Sequence, residues 1–262
     1  MVTVQQLITG YGPDFPGLEH LLGLEASEAD ELRLKSPSPA LGRYLKSVKF
    51  MQDVCSGEAL AMRSFDVATE HFIGLSEELE GYQGRFKDKK IVGRIGQADK
   101  IWLSSLSNDM DNVIRAEYLE RFSDHDTAAR TDLLKIIIGT QRPHLEKYLE
   151  GIHFPNTSED NMSIAFGLIG NELIYGHLIP SIIDLAKSAL VFGEEHEQSQ
   201  PLVLPGLTHK QAAEPTTLGK KIATFVAAID YHLQEDLLGK DGNFRTFTGK
   251  MNGAIGNFTT HY

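Results

Sequence analysis

Five short runs in this chain combine hydroxyls, imidazoles and charges in ways that packing alone does not require. They are Gly42-Arg43-Tyr44, Ser123-Asp124-His125-Asp126, Thr157-Ser158-Glu159-Asp160, Thr208-His209-Lys210-Gln211 with the following Pro215-Thr216-Thr217-Leu218-Gly219-Lys220, and Gly249-Lys250-Met251-Asn252-Gly253-Ala254-Ile255-Gly256-Asn257. Imidazoles suit proton transfer near neutral pH. Hydroxyls beside the free N–H groups of a helix amino terminus suit a carboxylate or phosphate. Each run also has an ordinary explanation. Asp126 could cap a helix beside a surface histidine, Arg43-Tyr44 could be surface residues, and a cap at Thr157 would account for its hydroxyl completely. His209 lies between a strand-like segment and a helix start, where ligand-facing groups collect, although a satisfied buried histidine is equally compatible. The glycine-rich run is the most specific, since an ordinary turn rarely needs three glycines, a lysine and two amides.

These runs need a scaffold, and the apolar periodicity supplies a mostly helical one. One helix is expected from about Glu58 to Leu79 through Met62, Phe65, Phe72 and Leu75, and a second stripe uses Ile101, Leu106, Met110, Val113, Ile114 and Tyr118. A third helix opens near Asp126 and runs through Leu133, Leu134, Ile136, Ile137 and Ile138 to a stop at Gly139, and Pro143 opens a short one reaching Gly151. The longest pattern, about 158–192, begins at a capping box and contains Pro180 as a kink. A short extended piece at Leu202 to Leu204 precedes a helix from about Pro215 to Leu238. The glycine-rich end reads as a loop whose backbone approaches something closely. Residues 1–36 read as an appended segment, 37–151 as a helical domain, and 152–262 as the first part of a long-helix bundle.

Composition narrows the partners. The chain has 262 residues, with Lys plus Arg at 25 against Asp plus Glu at 36 and a formal net charge of −11. So acidic a surface repels a phosphate backbone, and nucleic acid is not expected as a partner. No run of eighteen apolar residues appears and the amino terminus lacks the pattern of a signal peptide, so neither a membrane nor export is expected, and the cytoplasm is the expected location. The single cysteine, Cys55, excludes an internal disulfide and a multi-cysteine metal site.

In their order and spacing the five runs resemble the adenylosuccinate lyases of the fumarase/aspartase superfamily, most clearly from 117 to 262 and more weakly from 37 to 116. The resemblance implies an all-α fold and β-elimination of fumarate from a succinylated purine nucleotide or from an earlier succinylated carboxamide intermediate. It makes His209 the acid that protonates the leaving nitrogen. Arg43 and Tyr44 become phosphate contacts, Asp124, His125 and Asp126 a substrate-binding triplet, and Thr157 and Ser158 the pair that holds a substrate carboxylate. Lys250 and Asn252 line the same cleft. Asp124 stands where the family usually has Asn, and Lys210 where it usually has Gly. The resemblance further implies no metal or organic cofactor, a small-molecule nucleotide as substrate, and a homotetramer whose active sites draw on several chains. The family's catalytic serine lies in a Ser-Ser-x-Met-Pro-x-Lys-x-Asn segment that these 262 residues do not contain, so either the chain is the amino-terminal part of a longer one or a complementing chain supplies the base. Two other readings remain: a homologue that binds nucleotide without turnover, and a metal-dependent phosphohydrolase built on His125-Asp126 with His71 or His144 as further ligands.

Overall fold

Helix Gly57–Glu78 shows how the amino-terminal part is assembled. Its residues Ala61, Phe65, Ala68, Phe72 and Ile73 are buried on one side, and the polar groups that go inside with them are satisfied locally. Thr69 donates to the Phe65 carbonyl at 3.0 Å and Ser76 to that of Ile73 at 2.6 Å, which avoids the cost of burying an unpaired hydroxyl. The computed structural model describes residues 3–27, 50–78, 95–198, 201–237, 246–253 and 255–256. Arg43 and Tyr44 lie outside the described residues.

In chain order the helices are α1 (Val4–Gly10), α2 (Leu18–Leu22), α3 (Phe50–Cys55), α4 (Gly57–Glu78), α5 (Gln97–Ser105), α6 (Met110–Ser123) and α7 (Asp126–Gln141). A 3-10 segment, Pro143–Ile152, leads to α8 (Ser158–Asn171), and a π-helical stretch, Glu172–Leu178, leads to α9 (Ile179–Gln198). Strands β1 (Val203–Thr208) and β2 (Gln211–Thr217) then precede α10 (Leu218–His232). The fold is thus mainly helical, as expected for the fumarase/aspartase type. Two compact units emerge: Met1–Gly170 with Thr248–Tyr262, and Asn171–Phe247.

In the first unit α7 is the central helix, with Leu133, Leu134, Ile136, Ile137 and Ile138 all at most 2% exposed. An all-round apolar run of this kind needs neighbours on every side, and α4, α6, the 3-10 segment and α1 provide them. Gly139 does not end the helix, which continues to Gln141. The glycine makes room for α1 instead: a Cβ there would lie 2.4 Å from the Val4 side chain. The stripe expected to join Ile101 to Tyr118 is broken at Asp109, whose carboxylate accepts from the Asp111 N–H and starts a separate helix, and Ile101 stays exposed. The segment 3–27 enters the same core. Phe15 and Leu21 are buried, Arg115 donates to the Leu22 carbonyl at 2.9 Å, and the Tyr11 hydroxyl donates to Asp132 at 2.9 Å.

In the second unit α9 packs on α10 where small residues allow it: a Cβ on Gly219 would sit 2.7 Å from the Gly193 carbonyl oxygen. The π-helical stretch immediately precedes Pro180, the residue that cannot donate to a regular ladder. The extended piece near Leu202 is one strand of a hairpin, and Pro215 belongs to the second strand rather than to a helix. Thr217 is the cap, its hydroxyl accepting from the Lys220 N–H at 3.2 Å. Glu214 and Pro215 face Pro205 across a bulge, where the missing proline N–H groups cost no ladder bonds. The turn is His209-Lys210, with φ of 50° and 63°, the mirror-image turn that favours Asn-Gly.

Many apolar side chains of the second unit are uncovered, Leu185, Val191 and Phe225 among them. One eighteen-residue window within Ser158–Gln198 reaches a mean hydropathy of 1.2 with 11% of it buried, long and apolar enough by composition alone to cross a membrane. The same apolar character is what a helix of a multi-chain bundle requires.

Two stability outcomes follow from this packing. Phe72→Ala, which empties a fully buried site, is expected to cost about 3–5 kcal/mol in urea unfolding. Lys210→Gly is expected to stabilise by about 1 kcal/mol, because glycine adopts the left-handed turn without the Cβ conflict.

Candidate functional site

The Ser123–Asp126 run is a corner between two helices. Asp124 closes α6 in the left-handed region, φ 51°, a conformation that Asp and Asn tolerate better than most residues. Its backbone duty therefore accounts for an Asn or Asp at this point. His125 then caps α7, its Nδ1 accepting the Ala128 N–H at 3.4 Å. A neutral ring that accepts at Nδ1 carries its proton on Nε2, and that nitrogen lies 3.2 Å from the Ser158 hydroxyl oxygen. Ser158 consequently accepts from His125 and keeps its own hydrogen for another acceptor. Asp126 turns the other way and takes the Arg130 guanidinium at 3.1 Å. Burial alone would push its carboxyl up, but Arg130 and the two donors of Thr127 outweigh it and hold the group below its ordinary value.

Ser158 opens α8, so its hydroxyl sits where the helix has free N–H groups and a partial positive charge. The expected capping box is only half formed. Asp160 accepts the Thr157 N–H at 2.9 Å, whereas the Thr157 hydroxyl is buried with no partner among the described residues. Capping does not use that hydroxyl. The Asn252 side-chain oxygen is likewise buried and unpartnered.

Asp160 is itself 0% exposed and gathers the glycine-rich run. Its Oδ1 accepts the Lys250 ammonium at 2.8 Å and the Asn252 N–H at 3.1 Å, and its Oδ2 accepts the Gly253 N–H at 3.2 Å. Lys250 also donates from Nζ to the Gly253 carbonyl at 2.8 Å, so its charge is engaged inside the segment. The Lys250 N–H reaches the Ser163 hydroxyl at 2.8 Å. Gly249 lies directly on α8, where a Cβ would come 2.3 Å from the Ile164 side chain, as the glycine content of this loop suggests. Burial would raise the Asp160 carboxyl, but the Lys250 bond, the two backbone N–H donors and the Lys250 charge bring it down to about 2.

The structure thus brings His125, Thr157, Ser158, Lys250 and Asn252 into the first unit together with Asp124 and Asp126, with a direct His125–Ser158 contact. His209 and Lys210 belong to the second unit, exposed at the tip of its hairpin. Two residues that sequence reasoning passed over deserve equal weight. Asp160 was legible only as a cap. His153, four residues before Thr157 in a Gly-Ile-His-Phe-Pro turn, lies among His71, His125, Lys135 and Asp132. Burial first, then the charges of Lys135 and His71, hold its imidazole below the ordinary 6.5. A histidine next to turn residues just ahead of the Thr-Ser pair was the available signal.

The metal reading finds no ligand set here. His71 meets the Phe154 carbonyl at 2.7 Å, His144 meets Asp99 at 2.8 Å, and no three His, Cys, Asp or Glu side chains among the described residues are grouped for a metal ion.

The two shifted groups give pH dependences of definite sign. Because the Asp160 pKa is lowered on folding, its contribution is complete above about pH 4 and is lost as the pH falls toward 2, a loss of about 2 kcal/mol in urea unfolding that Asp160→Asn removes. The lowered His153 pKa favours the neutral ring in the folded state, so stability from this residue is complete above 6.5 and declines below it. The ring proton signals of His153 in NMR are expected to titrate below pH 6.5.

The sequence also matches known proteins. The model of the lyase family matches residues 95–261. The adenylosuccinate lyase of Legionella pneumophila (strain Corby) is 27% identical over 236 residues, and that of Dictyostelium discoideum 27% identical over 231, each covering 87% of this chain and 46% of the relative. The adenylosuccinate lyase of Escherichia coli (strain K12) is 31% identical over 174 residues, 64% of this chain and 34% of the relative. The chain spans about half the length of the curated relatives it matches. With well over half of its residues inside the family match, and with the Thr157-Ser158 helix start, the His125 corner and the 249–257 segment all within it, this chain belongs to the lyase family.

Proposed function

We propose that this lyase acts as an adenylosuccinate lyase, releasing fumarate from succinyl-AMP and from the succinylated carboxamide intermediate. The observation that carries the reading is the start of α8, where the Ser158 hydroxyl is oriented by His125 and the Thr157 hydroxyl has no partner among the described residues.

The chemistry fits those donors. Removing a proton from the carbon beside a carboxylate drives negative charge onto that carboxylate, which preorganised donors stabilise most as the charge develops. Ser158 offers its hydrogen to such an oxygen, Thr157 offers a second, and the helix terminus adds its field. As the carbon–nitrogen bond breaks, its electron pair leaves with the purine nitrogen and the carbon–carbon double bond of fumarate forms. The nitrogen must gain a proton, the role we assign to His209. An exposed imidazole on a hairpin tip suits delivery to the site of another copy, in keeping with a homotetramer whose sites are shared. Arg43 and Tyr44 would hold the phosphate. A soluble nucleotide substrate and a cytoplasmic setting accompany this proposal, and no cofactor is required by it.

Incubation of the purified chain with succinyl-AMP tests the reading through loss of substrate absorbance and appearance of fumarate. Turnover supports the lyase, whereas AMP binding without turnover favours the non-catalytic homologue. In the active assembly, His209→Ala is expected to lower kcat by about 10²- to 10⁴-fold while AMP affinity stays within threefold, since a general acid acts in the transition state. Unchanged turnover removes His209 from the role.

A further inference from the structure

The buried carboxylate of Asp160 has no free valence for a ligand. Four donors fill it: the Lys250 ammonium and the N–H groups of Thr157, Asn252 and Gly253. Two of these motifs are separated by some ninety residues of sequence. Around this hub stand the atoms that do lack partners, the Thr157 hydroxyl and the Asn252 side-chain oxygen, and on the same first turn of α8 stands Ser158. The donor set explains why the residue must be an anion. Asparagine would offer one acceptor oxygen in place of two, and its amide hydrogens would face N–H donors or an ammonium group. A neutral hub would therefore release at least one side of the joint, and the Lys250 ammonium would lose its anionic partner and keep only the Gly253 carbonyl.

We propose that Asp160 is the positioning residue of the carboxylate-binding site, joining the Thr157-Ser158 helix start to the 250–253 loop so that both face one dicarboxylate-derived substrate. The inference rests on the lyase reading above. Asp160 touches no substrate and acts through Thr157 and Asn252. Its charge is consumed entirely inside the protein, so the substrate's own carboxylate meets hydroxyl and helix N–H donors rather than an opposing anion.

The experiment compares the full chain with Asp160→Asn and with Lys250→Met, using amide hydrogen exchange, fumarate titration and the succinyl-AMP assay. In Asp160→Asn the Asn252 and Gly253 amides are expected to exchange at least tenfold faster while the α7 core amides are unchanged. Fumarate affinity is expected to fall at least tenfold, and for succinyl-AMP KM is expected to rise at least tenfold while kcat falls as well, since the displaced donors act most on the developing charge. A structural defect alone would lower the active fraction, and with it the apparent kcat, without moving KM. Lys250→Met cuts the same joint from its other side and is expected to change affinity in the same direction by a smaller factor, since the three N–H bonds remain. It carries the test if Asp160→Asn does not fold. Fumarate affinity and KM within threefold of the unsubstituted chain in the folded variants would overturn the role of Asp160 alone. Failure of the unsubstituted chain to bind fumarate would overturn the lyase reading and the inference together.

Discussion

A single ionised carboxylate, fully withdrawn from water, is the constraint on which the rest of this site depends. Burying a charge is costly unless it is paired and hydrogen-bonded, and Asp160 meets that demand by drawing an ammonium and three backbone N–H groups from two distant stretches of chain. Gly249 lies against Ile164, the Lys250 N–H meets Ser163, whose hydroxyl lies 3.3 Å from the Lys250 carbonyl, and the carboxylate adds three further bonds. Stability and site geometry are therefore the same interaction seen from two sides.

The helices supply the second half of the arrangement by setting two amino termini beside one another. His125 closes the end of α7 with one ring nitrogen and reaches the first residue of α8 with the other. This is possible because α7 is fixed in the middle of its unit by apolar contacts all round, while the buried Ser64 and Asn161 pair holds α8 against α4 through bonds of 2.6 and 3.1 Å. Free N–H groups and positive partial charge then accumulate at one place, which is the physical requirement for holding a carboxylate.

Several features could be anticipated from particular residues. The stripe through Phe65 and Phe72 marked α4, and Leu133 to Ile138 marked a helix buried on every side. The glycine-rich run promised a close backbone approach that Gly249 makes. Other expectations failed for reasons that are local in cause and tertiary in origin. Gly139 looked like a terminator because glycine ends many helices, but it is small for the sake of α1 crossing above it. Pro215 looked like a helix start, but it sits in a bulged strand opposite Pro205, where two prolines can share the missing ladder bonds.

Sequence by itself determined which residue types were available for the chemistry and on which kind of element each would ride, because periodicity, capping and turn preferences are short-range properties of the chain. It left the employment of each polar atom undecided. Thr157 and Asp160 read as reciprocal caps, yet Asp160 takes Lys250, Asn252 and Gly253 as well as the Thr157 N–H, and the Thr157 hydroxyl has no partner among the described residues. That choice depends on which donors the fold delivers to a buried carboxylate from some ninety residues away, and a hydrogen bond, unlike a helix, carries no periodic trace in the sequence.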